Sequence, residues 1–252
     1  MARYDFRSAR LFVDADLSEG AVVPLEATQA NYLLNVLRLQ AGASILVFNG
    51  RDGEWRAELV TTGKKKATLN IAERARAQTA SGDLEYLFSP LKHARLDYMV
   101  QKAVEMGVSR LAPIIMRHTQ AERVNLGRMR ANAIEAAEQC GVLNIPEIAE
   151  PRKFESLTRG WKAERLLVFC DEEVDVKDPV TALSSARGGG LAGPLPVSVL
   201  VGPEGGFADT ERAALLKLPN VVRLALGPRI LRADTAAVAA LALVQAVVGD
   251  WR

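Results

Sequence analysis

The sequence predicts an α/β protein in two parts, a small β-rich N-terminal region and a larger region built on a parallel sheet. Three observations predict it. Residues 44–72 hold three short strand-like runs, the last two alternating, joined by Asn-Gly and Thr-Gly turns, the pattern of a meander. From Leu84 onward apolar strand-like runs alternate with helical ones, which implies parallel strands with helices on both faces. Between Leu195 and Ala240 one device occurs twice: an apolar strand runs into Gly-Pro and then into a helix.

Composition sets the bounds. A chain of 252 residues permits one large domain or two of ordinary size. Its 49% apolar and 25% charged residues are those of a soluble globular protein. The longest apolar run, Ala236 to Val248, is interrupted by Gln245 and is too short to span a bilayer. The N-terminus lacks the apolar core of a signal peptide, so a cytoplasmic location is expected. Cys140 and Cys170 offer neither a disulfide framework nor metal-ligand spacing, and no metal is expected. Net charge is +2 from 32 basic and 30 acidic residues, which neither announces nor excludes a nucleic-acid partner.

The elements follow in order. Arg10–Val13 reads as a strand. Glu26–Leu39 has helical spacing, with Tyr32, Leu33, Val36 and Leu37 on one face. Ser44–Phe48, Gly53–Val60 and Ala67–Ala72 read as strands, the last two alternating through Trp55, Ala57, Leu59 and Ala67, Leu69, Ile71. Residues 1–74 therefore suit a small closed or partly open barrel. Residues 75–83, small and polar, read as a linker, and 84–252 form the second region. There Leu84–Phe88 is a strand and His93–Met106 a helix with apolar Leu96, Met99, Val100 and Ala103. It stops at Gly107. Arg110–Met116 is a strand, Leu126–Cys140 a helix, Ile145–Ile148 extended, and Leu166–Phe169 a strand. The stretch Val174–Gly193, acidic and then glycine-rich, is read as a loop carrying one short helix. Val197–Val201 and Val221–Leu226 are the paired strands, and Ala236–Val248 is the last helix.

The paired devices carry the chemistry. The first strand ends in Gly202-Pro203-Glu204-Gly205-Gly206-Phe207. The second ends in Gly227-Pro228-Arg229-Ile230-Leu231-Arg232-Ala233-Asp234-Thr235. Glycine admits positive φ and lets a ligand approach the backbone, and proline fixes φ and removes a donor. At the carboxyl ends of neighbouring parallel strands both loops would face one crevice. Neither has the spacing of a phosphate cradle. With Phe207, Ile230 and Leu231 as walls they suit a neutral or cationic ligand, such as an adenosine bearing a sulfonium. The alternative is two ordinary strand-to-helix turns.

Gly-Pro-Glu-Gly-Gly-Phe followed by Leu-Gly-Pro-Arg-Ile-Leu-Arg-Ala-Asp-Thr-Ala resembles the signature of the ribosomal RNA small subunit methyltransferase E family. Supporting matches are Asn35-Val36-Leu37-Arg38-Leu39, residues 100–108 (Val-Gln-Lys-Ala-Val-Glu-Met-Gly-Val) and residues 135–140 (Glu-Ala-Ala-Glu-Gln-Cys). The resemblance spans nearly the full length. It departs at Asn31-Tyr32, where the family usually has histidine. It departs again at Val142, often arginine there, and at Ala233-Asp234, usually Thr-Glu. It implies an N-terminal PUA-like β-barrel that binds RNA and a C-terminal SPOUT α/β domain with a trefoil knot. It also implies S-adenosylmethionine as cofactor, a homodimer, and methylation of N3 of a uridine in 16S ribosomal RNA.

On that reading the cofactor site comprises Leu200, Gly202, Pro203, Gly205, Gly206, Leu226, Gly227, Ile230, Leu231 and Thr235. Arg232 is the catalytic candidate, because a guanidinium stabilises the charge that spreads over a uracil as N3 loses its proton. Its alternative is a salt bridge to Asp234 or Glu204. Glu204 is a candidate general base if the fold buries it, or else a ligand of its own loop's amides. Asp234 or Thr235 would cap the last helix. Arg38, Lys92, Arg117 and Arg123 are candidate RNA contacts. Lys102 is either another or a partner of Glu105. Lys64–Lys66 form a solvated hairpin tip or an RNA contact. His93 and His118 are read as satisfied or solvent-facing, with RNA contact or proton transfer as alternatives. Both cysteines are read as small apolar residues. The competing functions are a non-catalytic RNA-binding assembly factor and a SPOUT methyltransferase acting on another RNA. The last helix is apolar nearly all round, so a second subunit is expected to cover it, with Val244→Arg disrupting that interface; the alternative is burial within one large monomeric core.

Overall fold

Alternation of apolar and polar residues builds the first sheet. The computed structural model describes residues 5, 7–63, 66–121, 123–174, 178–186 and 195–251. Strands β1 (Arg10–Phe12), β2 (Val22–Pro24), β3 (Ser44–Phe48), β4 (Glu54–Gly63) and β5 (Lys66–Arg76) pair in the order β1-β3-β4-β5-β2. The β3-β4-β5 run is the expected antiparallel meander, and β1 joins β3 in parallel. Ala57, Leu59, Ala67, Leu69 and Ile71 all point into one core. The edge strand β2 has only three residues, too few to show a period, and Pro24 is tolerated there because an edge position needs fewer donors. Of the hairpin-tip lysines, Lys64 and Lys65 lie outside the described residues; Lys66 pairs with Gly63.

The expected helix over Glu26–Leu39 is shorter and changes pitch. Helix α1 (Ala27–Asn31) passes into a π-helical turn, Tyr32–Val36, in which the Leu37 N–H donates to the Tyr32 carbonyl at 2.9 Å. The wider turn rotates the stripe away from the core. Leu33 is fully buried, but Val36 and Leu37 are 62% and 37% exposed. Arg38 closes the turn at φ 56°.

Around Glu54 the first unit holds a buried ion cluster. Arg10 Nε lies 2.6 Å from one carboxylate oxygen and Arg76 Nε 2.7 Å from the other. The same guanidinium groups donate to the Glu138 and Gly141 carbonyls, and the Glu138 carboxylate accepts the Phe12 N–H at 2.8 Å. The chain accordingly divides into two compact units, Met1–Ala80 with Ala137–Ile145, and Ser81–Ala136 with Pro146–Arg252. Burial opposes ionisation of Glu54, yet the hydrogen bonds from Arg76 and Arg10 outweigh it and hold its carboxyl below the usual range. A lowered folded-state value contributes stability that is present above the unfolded value and lost as pH falls through the folded one. Glu54→Gln is expected to destabilise this unit by about 3 kcal/mol at neutral pH, because it removes the buried carboxylate charge that two guanidinium groups share. It should also flatten the acid limb of the melting temperature measured between pH 5 and about 2.

The second sheet is all parallel along its main path: β12 (Val221–Leu224), β10 (Leu166–Cys170), β11 (Val197–Val201), β6 (Leu84–Phe88), β7 (Arg110–Ile115) and β8 (Glu147–Ile148). Strand β9 (Arg152–Lys153) pairs with β7. The two glycine-loop strands are not neighbours, as the sequence pattern suggested. Instead β10 lies between them, with Val168 opposite Val199 on one side and Val222 on the other. Every residue of β6 and β11 is buried, as befits strands covered on both faces.

Six helices follow the strands: α2 (His93–Glu105), α3 (Leu126–Cys140), α4 (Phe154–Arg159), α5 (Pro179–Ala186), α6 (Asp209–Leu215) and α7 (Ala233–Val247). Helix α5 is the short helix expected in the loop, whose residues 175–177 and 187–194 lie outside the described ones. Helix α2 stops at Gly107, whose φ is +78°. Gln245, the interruption in the apolar run, is buried and donates to the Met106 carbonyl at 2.7 Å, closing the end of α2. No described helix is long and apolar enough to cross a membrane.

Candidate active site

The carboxyl ends of β10, β11 and β12 open into one cavity of about 350 Å³, a size within the range of small-ligand pockets. Its walls are three loops. The first follows β10 and brings Asp171, Glu172 and Val174. The second brings Gly202, Pro203, Glu204, Gly206 and Phe207. The third brings Leu226, Gly227, Ile230 and Leu231, with Pro228 and Arg229 between them. The first loop carries no glycine motif and went unread in the sequence. Its only signal was the run of three acids, Asp171-Glu172-Glu173, directly after an apolar strand.

The glycines of these loops are required for different reasons. A Cβ on Gly202 would lie 2.9 Å from the Phe207 ring. Gly206 has φ +72°, and a Cβ there would meet Glu172 Oε1 at 2.6 Å. Gly227 has φ +95° with nothing within 4 Å of the added carbon, so its requirement is conformational.

Three expected cofactor residues stand apart from the cavity lining. Leu200 is fully buried in the core of β11. Gly205 faces His118, whose Cβ lies 3.2 Å from where its own Cβ would be. Thr235 is exposed in the first turn of α7. Neither Asp234 nor Thr235 caps α7. Arg232 occupies the N-cap, with extended backbone and no side-chain cap. Its own side chain is exposed and makes no ion pair among the described residues.

Glu204 is exposed and salt-bridged to Arg95, which comes from α2. The burial that would suit it to act as a base is absent. His118 Nδ1 hydrogen-bonds the Gly206 carbonyl at 3.1 Å, and the Arg117 N–H donates to buried Glu211 at 2.8 Å. The segment after β7 is thereby tied to the second loop. The side chain of His93 lies outside those described. Lys92 at the N-cap of α2, Arg117 and Arg123 are exposed, and Arg38 is exposed in the first unit. Lys102 bridges Glu105 at 2.7 Å. Burial, with the Asp171 charge adding to it, pushes the Cys170 thiol up to about 12. It therefore lines the cavity as a neutral group, not a thiolate nucleophile. Cys140, in contrast to the apolar reading, is exposed.

Residues 78–245 match the RNA methyltransferase domain and residues 25–72 the RNA methyltransferase PUA domain. The ribosomal RNA small subunit methyltransferase E of Rickettsia conorii is 28% identical over 94% of this chain and 94% of its own. That of Synechocystis is 30% identical over 95% of this chain and 78% of its own. The crystal structure of the Neisseria gonorrhoeae enzyme of the same name, bound to S-adenosyl methionine, superposes with a TM-score of 0.82 at 26% identity. It covers 98% of this chain and 100% of that one. With a PUA domain at its N-terminus and a glycine-loop cavity in its methyltransferase domain, the chain belongs to the ribosomal RNA small subunit methyltransferase E family.

Proposed function

We propose that this protein transfers the methyl group of S-adenosylmethionine to N3 of a uridine in 16S ribosomal RNA. The observation that carries the reading is the three-loop cavity. Gly227 leaves the backbone open, Phe207 and Ile230 offer apolar walls, and the lining carries the Glu172 carboxylate as well as Arg229. That lining fits a ligand with an apolar base and a cationic centre. S-adenosylmethionine, when bound, supplies a methyl group made electrophilic by the sulfonium. Gly202, Pro203, Gly206, Leu226, Gly227, Ile230 and Leu231 hold it. Arg232, at the mouth of α7 and free of any ion pair among the described residues, stabilises the charge on the uracil carbonyls as N3 gives up its proton. The first unit binds the RNA, with Arg38 on its π-helical turn as a phosphate contact and Lys92, Arg117 and Arg123 serving the second unit.

Mass mapping of 16S ribosomal RNA from a strain lacking the protein tests the reaction. One methylated uridine is expected to be lost and to return with the intact gene. An unchanged methylation map would refute the proposal.

We also propose a cytoplasmic homodimer built on α7. Within the protomer Val244 is 1% exposed, so Val244→Arg would break the protomer's own core and does not report on an interface. The half-buried apolar residues Val238, Ala239, Ala242 and Leu243 form the face left open. Leu243→Arg is expected to give a folded monomer in sedimentation equilibrium, with activity reduced at least about tenfold. A variant that sediments as the wild type would remove α7 from the interface.

A further inference from the structure

Three loops line the cavity, and each follows a different strand. Strand pairing ends where they begin, at Cys170 opposite Val201 and Leu224. Past that point backbone register no longer fixes one loop against another. A single side chain on the first loop bonds the helix that follows the second and the strand that precedes the third.

Asp171, the first residue beyond β10, has a side chain with no exposed surface. Its Oδ2 accepts from Nε and Nη2 of Arg223, on β12, at 2.9 and 2.7 Å. Its Oδ1 accepts from Nε of Arg212 at 3.3 Å. Arg212 stands on α6, which follows directly from the Gly202–Phe207 loop. Oδ1 also accepts the Glu173 N–H at 3.2 Å, which folds the loop of Asp171 back on itself. Arg212 reinforces the link by holding Glu173 Oε2 at 3.0 Å. The Asp171 N–H itself donates to the Leu224 carbonyl at 3.1 Å.

Burying a carboxylate between two guanidinium groups is a poor route to stability, since well-packed apolar residues would do as well. Its advantage is geometry. Guanidinium forks bond in fixed directions, so the arrangement defines angles as well as contacts. Arg212 is only 9% exposed, and Arg223 is half-buried. Both are engaged with Asp171 and poorly placed to meet RNA phosphate.

We infer that Asp171 is a positioning residue. Through Arg212 and Arg223 it sets the spacing of the three cavity loops and so the affinity for the methyl donor. The inference rests on the reading of the cavity as the S-adenosylmethionine site.

The test compares Asp171→Asn with the double variant Asp171→Asn/Arg223→Gln, which also removes a stranded charge. Binding of S-adenosylhomocysteine is measured by calorimetry on full-length protein, at a temperature where circular dichroism shows each variant folded. Affinity is expected to fall about 10- to 100-fold in both, the scale on which outer hydrogen-bond partners act on bound groups. KM for S-adenosylmethionine should rise in step while KM for the RNA stays unchanged. The double variant should regain melting temperature without regaining affinity, a split that a merely structural role would not give. Wild-type affinity in either folded variant, or affinity restored together with stability, would overturn the inference. If Asp171→Asn does not fold, the double variant alone decides. Failure of the wild-type protein to bind either ligand would instead remove the cofactor reading on which the inference stands.

Discussion

Gly202→Val is expected to lose S-adenosylmethionine affinity by roughly 100-fold in a protein that still folds. The first added carbon would lie 2.9 and 3.0 Å from Cζ and Cε2 of Phe207. That ring cannot swing aside. It is 8% exposed and packs edge-on against Phe169, with centroids 5.7 Å apart. The loop must therefore move, and the loop is a wall of the cavity. Overpacking of this kind costs about 1–3 kcal/mol, and each 1.4 kcal/mol is about tenfold in affinity. Calorimetry with S-adenosylhomocysteine checks it, and undiminished binding by a folded variant would remove Gly202 from the site. Gly227 should behave differently. Its surroundings are empty, so its sensitivity lies in its positive φ. Alanine there should cost nearly as much as valine, whereas at Gly202 the bulkier side chain should be distinctly worse.

Arg232→Ala is expected to lower kcat by about 100- to 1000-fold, the usual consequence of removing one group that stabilises developing charge. Cofactor affinity should stay at the wild-type value, because the side chain is exposed and holds no structural ion pair among the described residues. Single-turnover methylation of small ribosomal subunits measures the first quantity and calorimetry the second. If affinity falls as far as the rate, Arg232 acts by holding the loop and not on the uracil.

Long periodic segments were legible in the sequence. Leu126–Cys140 was placed correctly at both ends, and the second and third strands of the meander faced as expected. Their patterns repeat over enough residues to stand out. Helix α4, of six residues, spans less than two full turns and left no stripe to read; α6 was expected only from the Gly-Pro loop before it, without bounds. Leu37 was misplaced because a π-helical turn changes the period without changing the composition. The glycine loops were legible as a site, but that β10 lies between their strands was not. Nothing local distinguishes a neighbour from a next neighbour. Asp171 was missed for a related reason. Its partners Arg212 and Arg223 lie 41 and 52 residues away, and nothing in the run Asp171-Glu172-Glu173 singles out its first acid.

The allocation of residues 137–145 to the first unit has a consequence for synthesis on the ribosome. Arg10 and Phe12 are translated early, yet the Glu138 groups that accept their hydrogen bonds are added more than a hundred residues later. At about 5–20 residues per second, the interval from residue 80 to residue 145 lasts roughly 3–13 s. Throughout it the meander can collapse around Leu59 and Leu69, while the Arg10–Glu54–Arg76 cluster still lacks its two carbonyl acceptors. The N-terminal unit is thus first to be made but not first to be finished, and the nascent chain must thread well into its second unit before the first can close.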